Sequence, residues 1–268
     1  MGKYPVCMFL AVLFLCGELR AGRQPFNQFK EWESGKAEIL EYKLKKVYMG
    51  KELVFPARLI TEGKYYSFAQ EKASRKPEAG YIPILNFSIL YSFKRDEGDR
   101  HSMSTLKFSR RGKLTLARQD VSIQSWDGQI VRQYNNLSTP PVLEARSWLE
   151  GGKKLVMEQT PVFTTEQLFV HLRDVPLEPG YMEKIRLLGS LMEDMVDSRI
   201  YYAEIKVHKD SRVLRDQETR YISVTREDKK KLEFWVGVGG LRHVVSAILP
   251  DGTTYMLDKV NWQRYWLY

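Results

Sequence analysis

Apolar and charged residues alternate along most of the sequence, and this period of two restricts the fold more than any other feature. In the first such run, Ala37, Ile39, Tyr42 and Leu44 are separated by charged side chains. Successive side chains point to opposite faces only in an extended strand, so the pattern indicates a strand with one buried face. The break in the alternation near Glu41 predicts a β-bulge, since one inserted residue shifts the pattern by one position.

Turn sequences separate these alternating runs. Asp127-Gly128 and Asp251-Gly252 are dipeptides favoured in two-residue hairpins, and Gly50 and Gly63 are further predicted turns. The alternating runs number about a dozen, and short turns between them favour antiparallel neighbours. The sequence therefore predicts a meandering fold that is mainly β.

One segment has the period of a helix. Thr164 precedes Gln167 by three residues, which is the spacing of a capping box, and we expect a short amphipathic helix from Thr165 to Arg173. Pro176 follows and prevents the helix from continuing. The next run, Met182 to Met195, fits a strand at its start and either a strand or a helix later.

These elements predict a highly curved antiparallel sheet or half-open β-barrel, with the one short helix against its concave face. We expect a signal peptide at residues 1–21 and a loose N-terminal lead-in at 22–35. A single curved-sheet domain should occupy residues 36–262, followed by a C-terminal tail at 263–268.

The candidate ligand-binding residues are apolar or aromatic side chains at the inward positions of the predicted strands and helix. Strand alternation would place them on the concave face of the sheet. They are Tyr42, Leu44, Phe68, Phe87, Ile89, Tyr91, Phe169, Leu172 and Trp235. For each of them, an ordinary position in a packed core is the competing interpretation.

The N-terminal residues have the pattern of a secretory signal peptide. Lys3 gives a positive start, Val6 to Leu15 is apolar, and Ala21-Gly22 is a small-residue junction. The segment also contains both cysteines of the sequence, Cys7 and Cys16. Cleavage after the junction would leave an exported chain without thiols.

Two other fates of this segment are open. If it is not cleaved, it would act as a membrane anchor, although its apolar run of about 10 residues is short for a spanning helix. Processing at Cys16 would instead give a membrane-anchored lipoprotein. Leu15 occupies the position at which lipoprotein signals usually carry a small residue, which favours cleavage after Ala21.

The sequence has no evident catalytic or metal-binding constellation. His101, His171, His208 and His243 are far apart and lack ligand spacing, so we expect no metal and no cofactor. His171 is predicted to pack on the helix, and His208 and His243 to be exposed. No Gly-x-Ser-x-Gly elbow occurs, and the protein is predicted not to be an enzyme.

The glycine-rich and acidic segments are interpreted as loops and turns and not as binding sites. Gly237 to Gly240 lies between predicted strands, so we expect a hairpin loop and not a phosphate-binding loop. The acidic pairs Asp96-Glu97 and Glu193-Asp194 are predicted to lie in solvated turns. The formal net charge of +9 is spread along the chain, without a basic groove lined by stacking aromatics, so no nucleic-acid partner is expected.

The stretch from Phe163 to Gly180 resembles the centre of a bacterial envelope family, domain of unknown function 3108. In that family a short helix ends in an arginine and is followed by a Pro-Leu-x-Pro-Gly turn. The matching positions are Arg173, Pro176, Leu177, Pro179 and Gly180. Downstream, Leu232 to Val236 and Pro250-Asp251-Gly252 are similar to the family's late strand and closing hairpin.

This resemblance extends over residues 36–259, although only its central motif is specific. The chain departs from the family where Thr164 or Thr165 replaces a common Asp, and where Gly237 to Gly240 replaces an acidic pair. The resemblance implies an exported bacterial protein with the half-open β-barrel of periplasmic lipoprotein carriers. Because the family has no established activity, it implies a class of protein and not a function.

The leading hypothesis is a non-catalytic, exported protein of the bacterial envelope, located in the periplasm. Its apolar concave face would bind a lipid, an acyl chain or a lipidated partner protein. One alternative is a periplasmic scaffold that binds an envelope protein through a sheet edge or its outer face, and another is a cell-envelope hydrolase. Membrane association is expected only if the leader is not cleaved or Cys16 is lipidated.

Overall fold

A computed structural model describes residues 25–264, apart from 49, 96–97, 112–113, 126–127, 148–150, 157–161 and 190–198. The predicted signal peptide, with both cysteines, lies outside the described residues, as do Asp96-Glu97 and Glu193-Asp194. The described part contains sixteen strands and one α-helix, α1 (Thr165–His171), with two short 3-10 helices at Phe26–Gln28 and Lys30–Glu33.

The strands are β1 (Lys36–Tyr48), β2 (Lys51–Ser67), β3 (Lys72–Ser74), β4 (Ile82–Arg95), β5 (Gly98–Ser109), β6 (Thr115–Ser125), β7 (Gly128–Asn135), β8 (Val142–Ser147), β9 (Gly151–Val156), β10 (Phe163–Thr164), β11 (Met182–Leu188), β12 (Ile200–Leu214), β13 (Gln217–Arg226), β14 (Lys231–Gly237), β15 (Val244–Ile248) and β16 (Thr254–Arg264). The last strand continues past residue 262, the predicted end of the domain.

The strands form one sheet in the order β10 to β16, then β1, β2 and β4 to β9, with β3 attached to β2. Neighbours are antiparallel except for the short parallel pair of β10 and β11. We call β1 to β9 the N-terminal arm and β10 to β16 the C-terminal arm; the pairing of β1 with β16 joins them. Because β9 and β10 are the two edges of the sheet and do not pair with each other in the described residues, the sheet is curved but not closed, as the sequence predicted.

The predicted β-bulge is present, but on the partner strand. The register of β1 against β16 shifts between Glu41 and Tyr42, which pair with Lys259 and Leu257. The extra residue is therefore Asp258 of β16. Because β1 itself has no insertion, its buried side chains from Glu38 to Leu44 alternate regularly at the even-numbered positions.

Gly63 is not the predicted turn but an interior residue of β2. A Cβ atom at this position would lie 2.0 Å from the carbonyl oxygen of Trp32 and 2.7 Å from its carbonyl carbon. Only glycine lets the chain before β1 approach the sheet so closely. Gly63 is therefore required by a packing contact with Trp32, and the sequence pattern alone wrongly assigns it to a turn.

Two aromatic side chains of residues 25–35 consequently belong to the core, so the prediction of a loose lead-in is wrong for this segment, although most of its other side chains are exposed. Phe26 is 0% exposed and Trp32 is 1% exposed. The Trp32 indole Nε1–H donates to the carbonyl oxygen of Phe26 at 2.6 Å, and the two rings meet edge to face at 5.1 Å. The segment covers one end of the sheet with two buried aromatic rings.

The α1 helix lies against the buried concave side and begins as the sequence predicts. The Thr164 hydroxyl accepts from the Gln167 backbone N–H, and the Gln167 side chain accepts from the Thr164 backbone N–H. This capping box satisfies donors that a helix N-terminus otherwise leaves free. Phe169 then projects into the core, where its ring contacts those of Tyr42 at 6.2 Å and Phe234 at 5.9 Å.

Candidate functional site

Seven of the nine candidate ligand-binding residues lie together in the main buried core. They share one buried cluster with the apolar residues of α1, and Tyr91 is the most exposed of them at 8%. The seven are Tyr42, Leu44, Phe87, Ile89, Tyr91, Phe169 and Leu172. Because these side chains belong to one packed core, a ligand reaching them must displace part of that core.

The prediction that Trp235 and Phe68 point inward is wrong. On β14, Leu232, Phe234 and Val236 are buried and Trp235 is only half-buried, so it occupies the outer face of the strand. Phe68 follows the end of β2 in a turn, where its ring contacts Tyr66 at 4.9 Å. The error at Trp235 is a shift of one residue in the alternation.

Trp235 instead belongs to a stack of side chains on the outer face of β12 to β14. The Arg212 guanidinium lies 3.7 Å from the Trp235 ring centroid, and the Tyr221 ring lies 5.1 Å away on the next strand. His208 continues the stack at 4.7 Å from Tyr221. These cross-strand contacts stabilise the outer face of the sheet.

A buried charge cluster fixes the C-terminal end of α1 to β1. Arg173 and Glu38 are 1% and 0% exposed and form two hydrogen bonds, at 2.7 and 2.8 Å. The His243 Nε2 atom lies 2.8 Å from the same Glu38 carboxylate, and the Arg173 Nε–H donates to the Leu241 carbonyl at 2.9 Å. The cluster therefore joins the helix, the first strand and the loop before β15.

The electrostatics of this cluster favour the charged carboxylate. Burial by itself raises the pKa of Glu38, but the Arg173 charge and the hydrogen bonds from Arg173 and His243 lower it to about 2. The Arg173 guanidinium also lies 3.9 Å from the Phe26 ring centroid. The bidentate ion pair is thus shielded from water by the aromatic rings of residues 25–35.

A second polar cluster, which we call the Arg132 cluster, lies at the start of α1 and consists of Arg132, Gln119 and Glu166. Arg132 on β7 is 1% exposed, and its Nη1–H donates to the Gly189 carbonyl at 2.9 Å. Its Nη2 atom lies 3.8 Å from Glu166, and the Gln119 amide donates to Glu166 at 3.0 Å. Burial lowers the pKa of Arg132, while the Glu166 charge opposes that shift.

A cleft opens beside α1 with a volume of about 220 Å³. Its apolar walls are Phe108, Leu114, Val175 and Pro176. Its polar groups are Gln167, His171, Asp174, Tyr181 and Glu183. Because Phe108 belongs to the N-terminal arm and Glu183 to the C-terminal arm, this α1 cleft lies between the two arms.

The histidines are more enclosed than the sequence predicts. His171 packs on the helix as expected, with Nε2 2.9 Å from Glu183 and its ring 4.8 Å from Phe163. His243 and His208 are not exposed, because His243 pairs with Glu38 and the Nε2 of His208 lies 2.8 Å from the Ser223 hydroxyl. Within the residues that the structure describes, no three metal-ligating side chains cluster.

A second, shallower groove of about 520 Å³ crosses β2, β4, β5 and β6 on the outer face. The groove is lined by exposed side chains, both polar and apolar, including Arg58, His101 and Met103. None of the nine candidates except Tyr91 contributes to it. In the described part of the chain, no helix is both long and apolar enough to cross a membrane.

Comparison with known proteins gives one likeness in fold. No model of a protein family matches the chain, and no curated protein matches it in sequence. A similar solved structure is that of a beta-barrel-like protein of domain of unknown function DUF1849 from Brucella abortus. It is 11% identical, with a TM-score of 0.49, over 85% of this chain and 98% of that one. The resemblance to family 3108 stays a prediction.

Proposed function

We propose that the protein is a non-catalytic, exported envelope protein that binds an acyl chain, a lipid or a lipidated partner on the concave side of its sheet. The observation that carries this proposal is the α1 cleft, where apolar side chains of the N-terminal arm face those of the segment after α1. Ligand sites are typically concave and mostly apolar, with a few polar groups that fix orientation. The α1 cleft is less apolar than such a site, since its described lining has four apolar residues and five polar ones.

The size of the α1 cleft defines how a ligand would occupy it. Its volume of about 220 Å³ is below the roughly 300–1,000 Å³ of sites that enclose a whole drug-sized ligand. A single acyl chain would therefore insert its end here, and the rest would require α1 to move away from the core. The helix is short, at seven residues, and clusters at both of its ends hold it in place.

Filling the α1 cleft should weaken binding of an acyl probe. Each protein is titrated with a fluorescent long-chain polyene fatty acid. Leu114→Trp is expected to raise the Kd about tenfold or more, a loss of about 1.4 kcal/mol in binding free energy. Val54→Trp, on the exposed outer side of β2, is the matched control and should bind as the wild type does. Equal binding by all three proteins, or by none, would contradict the proposed site.

A scaffold function is the second candidate, and the outer groove is the observation that favours it. With a volume of about 520 Å³, it is larger than the α1 cleft and combines charged and apolar side chains in an exposed position. An envelope protein bound there would copurify with Leu114→Trp as well as with wild type. Loss of such a partner in that variant would instead connect partner binding to the α1 cleft.

A further inference from the structure

The Arg132 guanidinium has an unpaired edge inside the sheet. Among the described residues, neither its Nε nor its Nη2 atom has a hydrogen-bond partner, although both atoms are inaccessible to solvent. The single hydrogen bond of the group uses Nη1. Leaving buried donors of a charged group unpaired is unfavourable, so a ligand that pairs with them gains a corresponding advantage.

The position of the free edge restricts the chemistry of such a ligand. Nε–H and Nη2–H form the side fork of a guanidinium, whose two parallel donors match the two oxygens of a carboxylate. Glu166 does not fill this role, because its carboxylate is 3.8 Å from Nη2 and accepts from Gln119 instead.

The surroundings of Arg132 are suited to a ligand that also has an apolar part. In the sheet register, Arg132 lies opposite Val121 on one side and Ala145 on the other, and Val121 lies opposite Ser104. These are small or medium side chains beside a long one. Val121 and Ile123 form a buried apolar cluster with Ile130 that is separate from the main core of the described residues.

We propose that the Arg132 side fork binds the carboxylate of an acyl ligand, so that the ligand held by the sheet is a fatty acid and not a neutral lipid. This inference rests on the proposed function and specifies its ligand class. The Glu166 charge partly compensates the Arg132 charge in the free protein. Because Glu166 also repels a second carboxylate, the preference for a fatty acid over a neutral lipid should be moderate. Binding would place the acid group at the start of α1.

The test uses isothermal titration calorimetry to measure the affinity for three ligands: palmitate, its methyl ester, and acetate as a free small anion. The proteins compared are wild type, Arg132→Met and Arg132→Lys. Wild type should bind palmitate about tenfold more tightly than the ester. Arg132→Met should bind both equally, and Arg132→Lys, which keeps the charge but lacks the fork, should recover only part of the preference. Circular dichroism of each variant establishes that it is folded.

The outcomes separate this inference from the function on which it rests. Tight binding of both palmitate and ester, unchanged in Arg132→Met, would overturn the carboxylate site and leave acyl binding intact. Failure of wild type to bind either one would overturn both. Acetate bound as tightly as palmitate would refute the acyl ligand and identify the fork as a site for free carboxylates.

Discussion

Replacing Arg173 with alanine should lower the free energy of unfolding by about 3–5 kcal/mol, the usual cost of removing one member of a buried ion pair. The variant leaves the Glu38 carboxylate at 0% exposure, with the His243 imidazole as its other side-chain partner within 4 Å in the described residues. It also removes the guanidinium from the Phe26 ring. Urea denaturation followed by circular dichroism measures the change.

The matched control for Arg173→Ala is Arg215→Ala. Arg215 pairs with Asp258 at 2.8 Å, but its side chain is 46% exposed, and exposed pairs contribute about 0–1 kcal/mol. Glu38→Gln with Arg173→Ala should recover part of the loss, because no uncompensated carboxylate is then buried. If Arg173→Ala and Arg215→Ala destabilise the protein equally, the cluster is not the main anchor of α1.

Acid provides a second readout of the same ion pair. The folded pKa of Glu38, about 2, is below its ordinary value of 4.5, so its contribution is complete above pH 4.5 and is lost as the pH falls toward 2. A shift of this size corresponds to about 3 kcal/mol. Arg173→Ala should lack most of this acid-dependent loss when unfolding is measured across that pH range.

Gly63→Ala should be the second severe change, with a loss of about 3 kcal/mol in the free energy of unfolding. The new Cβ would overlap the Trp32 carbonyl oxygen at 2.0 Å, and backbone cannot yield as a flexible side chain can. Residues 25–35 should therefore leave the sheet and expose Phe26 and Trp32. Urea denaturation measures the loss, and faster trypsin cleavage at Lys30 would locate it.

Gly239→Ala is the control for this substitution. A Cβ at Gly239 meets no atom within 4 Å, and a substitution of this kind is expected to stay within about 0.5 kcal/mol. A Gly63→Ala protein that unfolds at the same urea concentration as Gly239→Ala would contradict the close packing of Trp32 on β2.

Local sequence patterns predicted most of the architecture. The alternation around Tyr42 and the turn at Asp251-Gly252 depend on neighbours a few residues away, as does the capping box of Thr164. In each of these the physical cause and its sequence signal lie in the same short segment. The curved, mainly β sheet and the position of α1 could be predicted for that reason.

The features that sequence patterns missed depend on distant contacts. Gly63 resembles a turn residue until Trp32 is placed on it, and Glu38 resembles a solvated strand residue until Arg173 reaches it across 135 positions. Arg132 lies in a run that reads as an ordinary alternating strand, and nothing in that pattern indicates that its side chain is buried. Trp235 was misplaced because a shift of one residue reverses the face of a strand, and both β14 faces offer apolar or aromatic side chains.

A native mass spectrum of the protein, purified without denaturant from an exporting bacterial host, tests the central claim most directly. If the proposed signal peptide is cleaved after Ala21, acyl binding predicts the mass of residues 22–268 plus one ligand, which solvent extraction should release and identify as a fatty acid. The mass of the polypeptide alone, from protein that also takes up no acyl probe, would contradict ligand binding by the curved sheet.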